Sequence, residues 1–85
     1  MGIDYAHLHS LTAREIIAAL IRDGFYLRSS GGSSGSHQRF QHLDGRRATV
    51  SFHKPSDTFA PKTLKSIITQ AGWTAEDLKR LKLIA

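Results

Sequence analysis

The sequence predicts an α+β domain, a three-stranded antiparallel sheet with helices packed on one face. Three observations carry that prediction. Helix-initiation signals stand at Thr12 and Thr74, and Pro61 marks a third start between them. A period-two apolar run, Ala48, Val50 and Phe52, follows an Asp44-Gly45 turn. The chain has 85 residues, room for one domain with a modest core. Residues 1–10 are read as an N-terminal extension and residues 11–85 as the single domain.

The first helix is introduced by Thr12 as N-cap with Glu15 three residues later, the capping-box spacing. Leu11 and Ile16 can close a hydrophobic staple around it. Ile16, Ile17, Leu20 and Ile21 are expected to line its buried face, and Gly24 to end it. Phe25 to Arg28 reads as a short strand, with Phe25 and Leu27 on one side. Ser29 to Gly35 is Gly/Ser-rich and reads as a flexible loop.

Ser36 to His42 and Arg46 to His53 read as a hairpin. Its register follows from parity. A two-residue turn at Asp44-Gly45 would set Phe40 opposite Thr49, away from the apolar side. A three-residue loop, Leu43-Asp44-Gly45, sets Phe40 opposite Ala48 and gathers the apolar residues on one face. The opposite face then carries His37, Arg39, Gln41, Arg47, Thr49, Ser51 and His53. Lys54 to Ala60 is a polar loop. Pro61 opens a helix whose buried stripe is Leu64, Ile67, Ile68 and Ala71, stopped by Gly72. Trp73, Thr74, Asp77 and Leu78 repeat the staple and capping box at the start of a short last helix. There Leu81 points inward and Lys79, Arg80 and Lys82 outward.

The formal charge is +5 with histidines neutral, which favours a polyanionic partner. With no cysteine, disulfides and Cys-based zinc sites are excluded. Met1 to Ser10 lacks the apolar run of a secretory signal, and no later run is long enough to span a membrane, so a cytoplasmic location is expected.

His37 is the sharpest chemical feature. RNA carries its own nucleophile, the 2′-hydroxyl, so a group that moves protons near neutral pH and cations that steady the phosphorane suffice for cleavage. The alternative for His37 is an ordinary surface histidine on a polar strand face. His53, on the same face, is a diagonal neighbour about 7–8 Å away in this register and can serve as a second proton or phosphate donor, or simply end the strand in solvent. His42 has the opposite parity, and His7 and His9 form a lone His-x-His with too few ligands for a metal site. Arg39, Arg46, Arg47, Lys54, Lys62 and Lys65 are candidate phosphate contacts, with a solvated charged surface as the alternative.

The element order, helix, three strands, helix, short helix, is that of double-stranded RNA-binding domains. Several pieces in sequence also resemble the HicA toxin family: Asp23-Gly24-Phe25, Gly35-Ser36-His37 leading to Phe40, and Asp44-Gly45-Arg46-Arg47. The Val50 to His53 strand end and Pro61-Lys62-Thr63-Leu64 through Ala71-Gly72 continue the match, so the resemblance covers about residues 11 to 81. It implies a toxin of a bacterial toxin–antitoxin pair that cleaves mRNA as an endoribonuclease, without a metal or other cofactor. It also implies a HicB-like antitoxin covering the active face, with His37 as the catalytic histidine and Gly35 and Ser36 shaping the turn into its strand. Ser36 therefore joins the candidate contacts. The Ser29 to Gly35 stretch looks longer than the usual family loop, and either weakens catalysis or acts as a lid. Two readings stand beside the ribonuclease: a non-catalytic RNA-binding module on the same face, and a protein-interaction domain.

Overall fold

The computed structural model describes residues 8, 11–31 and 37–84. Over them the chain forms α1 (Ala13–Arg22), β1 (Tyr26–Gly31), β2 (His37–Gln41), β3 (Arg47–Ser51), α2 (Pro61–Ala71) and α3 (Ala75–Arg80). The strands form one antiparallel sheet in the order β1-β2-β3. No helix among the described residues is long and apolar enough to cross a membrane.

Both predicted capping boxes form. The Thr12 side chain accepts from the Glu15 N–H, and the Glu15 carboxylate accepts from the Thr12 N–H. Thr74 and Asp77 repeat this at α3. The first N–H groups of α1 also find partners in the loop before α2: Ala13 donates to the Asp57 carbonyl and Arg14 to that of Pro55. All three helices end in the same pair of backbone bonds, with the middle residue left-handed. Gly24 and Gly72 take that position at α1 and α2, and Lys82 takes it at α3 with φ 62°.

The core is one cluster. Phe40, Ala48 and Val50 of the sheet meet Ile16 and Leu20 of α1, Leu64, Ile67, Ile68 and Ala71 of α2, and Leu78 and Leu81 around α3. Leu8, from the stretch read as an extension, is buried with them. The predicted α2 stripe is correct, and the α1 stripe needs correction. Ala13, Ile16, Ala19 and Leu20 are the buried positions; Ile17 is partly buried and Ile21 is 59% exposed. The helix is rotated so that its small alanines, which allow close approach, face inward, and Ile21 falls off the covered arc.

The β2–β3 register is the predicted one. Phe40 pairs with Ala48 and His37 with Ser51. Leu43-Asp44-Gly45 forms the loop, closed by the His42 N–H on the Arg46 carbonyl, with Gly45 at φ 100°. Two strand limits differ from expectation. β1 runs on through Ser29, Ser30 and Gly31, because the backbone pairs with Arg39, Gln38 and His37 without needing side-chain patterning. A flexible loop from Ser29 is thus corrected over these three residues; residues 32–36, including Gly35 and Ser36, lie outside those described. β3 stops at Ser51 rather than His53, because the Asp57 carboxylate accepts from both the His53 and Lys54 N–H groups and turns the chain there. Leu27 shares the inner side with Phe40 but is 48% exposed, since it lies on an edge strand at the rim of the helix layer.

Candidate functional site

Helices cover one side of the sheet, so the other side is built from the alternate residues of each strand. Three rows of paired residues cross it. His37 lies opposite Ser51, Arg39 opposite Thr49, and Gln41 opposite Arg47. β1 adds Tyr26 opposite Gln41. His37, Arg39, Arg47 and Tyr26 are all exposed.

His37 is held by a neighbour that the sequence reading placed opposite it without assigning it a role. The Ser51 Oγ lies 2.7 Å from His37 Nδ1. A hydroxyl can donate or accept, so it can hold the ring in either tautomer. With Nδ1 engaged, Nε2 is the nitrogen left to act on a substrate.

The remaining candidates separate into distinct places. Arg39 occupies the row next to His37 on the open face, and Arg47 the row beyond that. His53 and Lys54 are exposed in the turn just beyond Ser51, where their backbone N–H groups hold the Asp57 carboxyl below its usual range. The strand parity that set His53 diagonal to His37 ends at Ser51. Lys62 and Lys65 are exposed on α2, in the layer across the sheet from His37. Ser36, His7 and His9 lie outside the described residues.

Arg46 is a correction. Its guanidinium donates to Asp44 at 2.8 Å, to Asp23 at 3.1 Å and to the Ala71 carbonyl at 2.5 Å, and it lies 5.0 Å from the centre of the Phe25 ring. Arg46 therefore ties the hairpin to α1 and α2 and is not presented to a phosphate. Asp23 is the hub of this junction. Its carboxylate also accepts from Trp73 Nε1 at 2.9 Å and Arg80 at 2.7 Å. Burial pushes the Asp23 carboxyl up, but the bonds from Trp73, Arg80 and Arg46 outweigh it and hold it below its usual value. His42 belongs to the same junction: Nε2 meets the Asp23 carbonyl at 2.9 Å and the ring packs edge-on to Phe25.

One cation escaped the sequence reading. Arg28 reaches the open face and donates to Gln41 Oε1 at 2.9 Å. The signal was its alternation with Phe25 and Leu27, both assigned to the inner side.

A family model described as the HicA toxin of bacterial toxin–antitoxin matches residues 13–73. No curated protein matches the chain.

Proposed function

Because the chain belongs to the HicA toxin family, and so to the toxins of bacterial toxin–antitoxin pairs, we propose that it is an endoribonuclease that cleaves mRNA with His37 as general acid–base. The observation that carries this reading is the His37–Ser51 contact on an exposed, arginine-bearing sheet face. A histidine held through one nitrogen, with the other directed to a ligand, suits proton transfer better than a freely rotating surface histidine does.

In the proposed reaction His37 Nε2 takes the proton of a ribose 2′-hydroxyl. The 2′-oxygen bonds to the adjacent phosphorus, the bond from phosphorus to the 5′-oxygen breaks, and that oxygen leaves with the proton that His37 Nε2 returns to it. The products are a 2′,3′-cyclic phosphate and a 5′-hydroxyl end. Ser51 holds the ring through Nδ1 while Nε2 gains and loses its proton. Arg39 supplies positive charge in the adjoining row, where negative charge builds on the phosphorane. His53 and Lys54, beyond the end of β3, and Ser36 before β2 are proposed contacts to the same RNA; Lys62 and Lys65 would meet only a strand that wraps around to α2. The proposed protein partner is a HicB-like antitoxin that covers this face and withholds His37 from RNA.

The test is cleavage of a mixed-sequence single-stranded RNA in excess EDTA, with wild type beside His37→Ala. Cleavage by wild type alone, leaving cyclic-phosphate or 3′-phosphate ends, is expected. Salt-sensitive RNA binding without cleavage by either protein would make the chain an RNA-binding module instead. Equal cleavage by both would remove His37 from the reaction.

A further inference from the structure

The open face holds a second feature, separate from the His37–Ser51 row. A shallow depression of about 520 Å³ lies over the middle of the sheet, lined by Arg28, Arg39, Gln41, Arg47 and Thr49. Arg28 reaches it by alternating with the inward Phe25 and Leu27, and it sits at an irregularity in β1. Leu27 pairs with Phe40 and Ser29 with Arg39, so Arg28 is the extra residue of a bulge. Its guanidinium donates to Gln41 Oε1 at 2.9 Å. Three guanidinium groups thereby share one concavity, and no carboxylate among the described residues pairs with them. Arg46 and Arg80, by contrast, are paired with Asp23, Asp44 and Asp77. Gathering like charges without counter-charge is unfavourable, and an anion seated among them relieves it.

Tyr26 stands at the border of the depression. It pairs with Gln41 on the same face and is 45% exposed, leaving an aromatic surface for a flat partner. Arginines that take phosphate beside an aromatic ring that takes a base are the two parts of a single-strand binding groove. The spacing separates this place from the proposed reaction centre. Gln41 is four residues from His37 along β2, about 13 Å. A phosphate held by Arg28 and Arg47 at the Gln41 row is therefore a different one from the phosphate at His37, and Arg39 lies in the row between the two.

We propose that this depression is a nucleotide subsite, in which Arg28 and Arg47 bind a phosphate flanking the cleaved one and Tyr26 stacks on its base. The proposal rests on the RNA reading of the open face, and it assigns the register in which a single strand crosses the sheet.

The test uses fluorescently labelled single-stranded oligoribonucleotides carrying 2′-O-methyl groups, which block the nucleophile so that binding is read without cleavage. Affinity is measured by anisotropy over a range of salt for wild type, Arg28→Gln, Arg47→Gln, Tyr26→Leu and Lys79→Gln. Each arginine variant is expected to weaken binding of all sequences alike, and to lower the log–log salt slope by about 0.7. Tyr26→Leu is expected to weaken binding about tenfold with the slope unchanged. Lys79→Gln, an exposed charge on α3, should match wild type. If wild type binds RNA but the arginine variants match it, or if Lys79→Gln weakens binding as much as they do, the subsite is wrong while the RNA reading stands. If wild type neither binds nor cleaves RNA, the RNA reading falls first and the subsite with it.

Discussion

Replacing Asp23 by Asn tests the junction that holds the hairpin against the helices. The carboxylate is 8% exposed and accepts three side-chain bonds, with Trp73 and Arg46 on Oδ2 and Arg80 on Oδ1. An amide offers a single oxygen. In its best orientation that oxygen keeps Trp73 and Arg46, and its NH2 group faces Arg80. Bonds with a charged partner are worth about 1.5–3 kcal/mol and neutral ones about 0.5–1.5 kcal/mol, so the Trp73 bond weakens by about 1 kcal/mol while that of Arg46, still charged, is largely kept. Losing the bond from Arg80, whose exposed guanidinium turns to water instead, costs about another 1 kcal/mol, so the expected loss is about 2 kcal/mol, or roughly 10 °C in Tm for a chain of this size. Urea unfolding at neutral pH, read by the fluorescence of Trp73 and by circular dichroism, measures it. The sign of the pH dependence follows from the folded-state carboxyl lying below its ordinary 3.8. Its contribution is complete above that value and is lost as pH falls through the lower, folded-state value. The gap between wild type and Asp23→Asn should thus narrow in acid. A loss under about 0.5 kcal/mol at neutral pH, or a gap of unchanged size down to about pH 2, would refute the assignment of Asp23 as a charged hub.

Three further outcomes follow from local geometry. Ser51→Ala should lower kcat on RNA by roughly tenfold with KM little changed, short of the 10²–10⁴ expected for loss of the general acid–base itself, and Ser51→Thr should restore most of it. Gly24→Ala should cost about 2–3 kcal/mol in denaturant titrations, because Gly24 sits at φ 104° and an added Cβ would lie 2.8 Å from His42 Nε2, breaking that ring's bond to Asp23. Lys82→Gly should raise stability by about 0.5–1 kcal/mol, since glycine relieves a side chain from the left-handed position that Gly24 and Gly72 already occupy at the other helix ends. An unchanged or lower urea midpoint would contradict this last expectation.

Where the sequence was readable, a side chain recorded the constraint. Phe40 and the Ala48, Val50, Phe52 alternation admit one loop length if the apolar residues are to share a side, and that brings His37 opposite Ser51. Thr12, Glu15, Thr74 and Asp77 announce helix starts through the bonds they make to nearby N–H groups. The less readable parts depend on distant partners or on backbone alone. Ser29, Ser30 and Gly31 pair with β2 through main-chain groups, and no side-chain pattern reports that. Arg46 and Arg47 are adjacent and chemically identical. Strand parity puts Arg47 on the open face, but that Arg46 is captured depends on Asp23, far back in the chain. Leu8 has no periodic neighbours, so its burial was invisible. Ile21 looked like core because four apolar residues in α1 fit a stripe, whereas the alanines decide which arc faces the sheet.

The contact between α2 and β3 bears on self-association. Thr49 directs its N–H away from β2, at the rim of the sheet, and Gln70 Oε1 accepts it at 2.9 Å. Gln70 Nε2 is itself anchored on Ser66 Oγ at 3.1 Å. The side-chain amide thus stands in for the peptide group of an absent fourth strand. Two molecules meeting along β3 cannot zip their backbones together there until Gln70 is displaced, so this rim is guarded against strand-by-strand aggregation by a single helix residue.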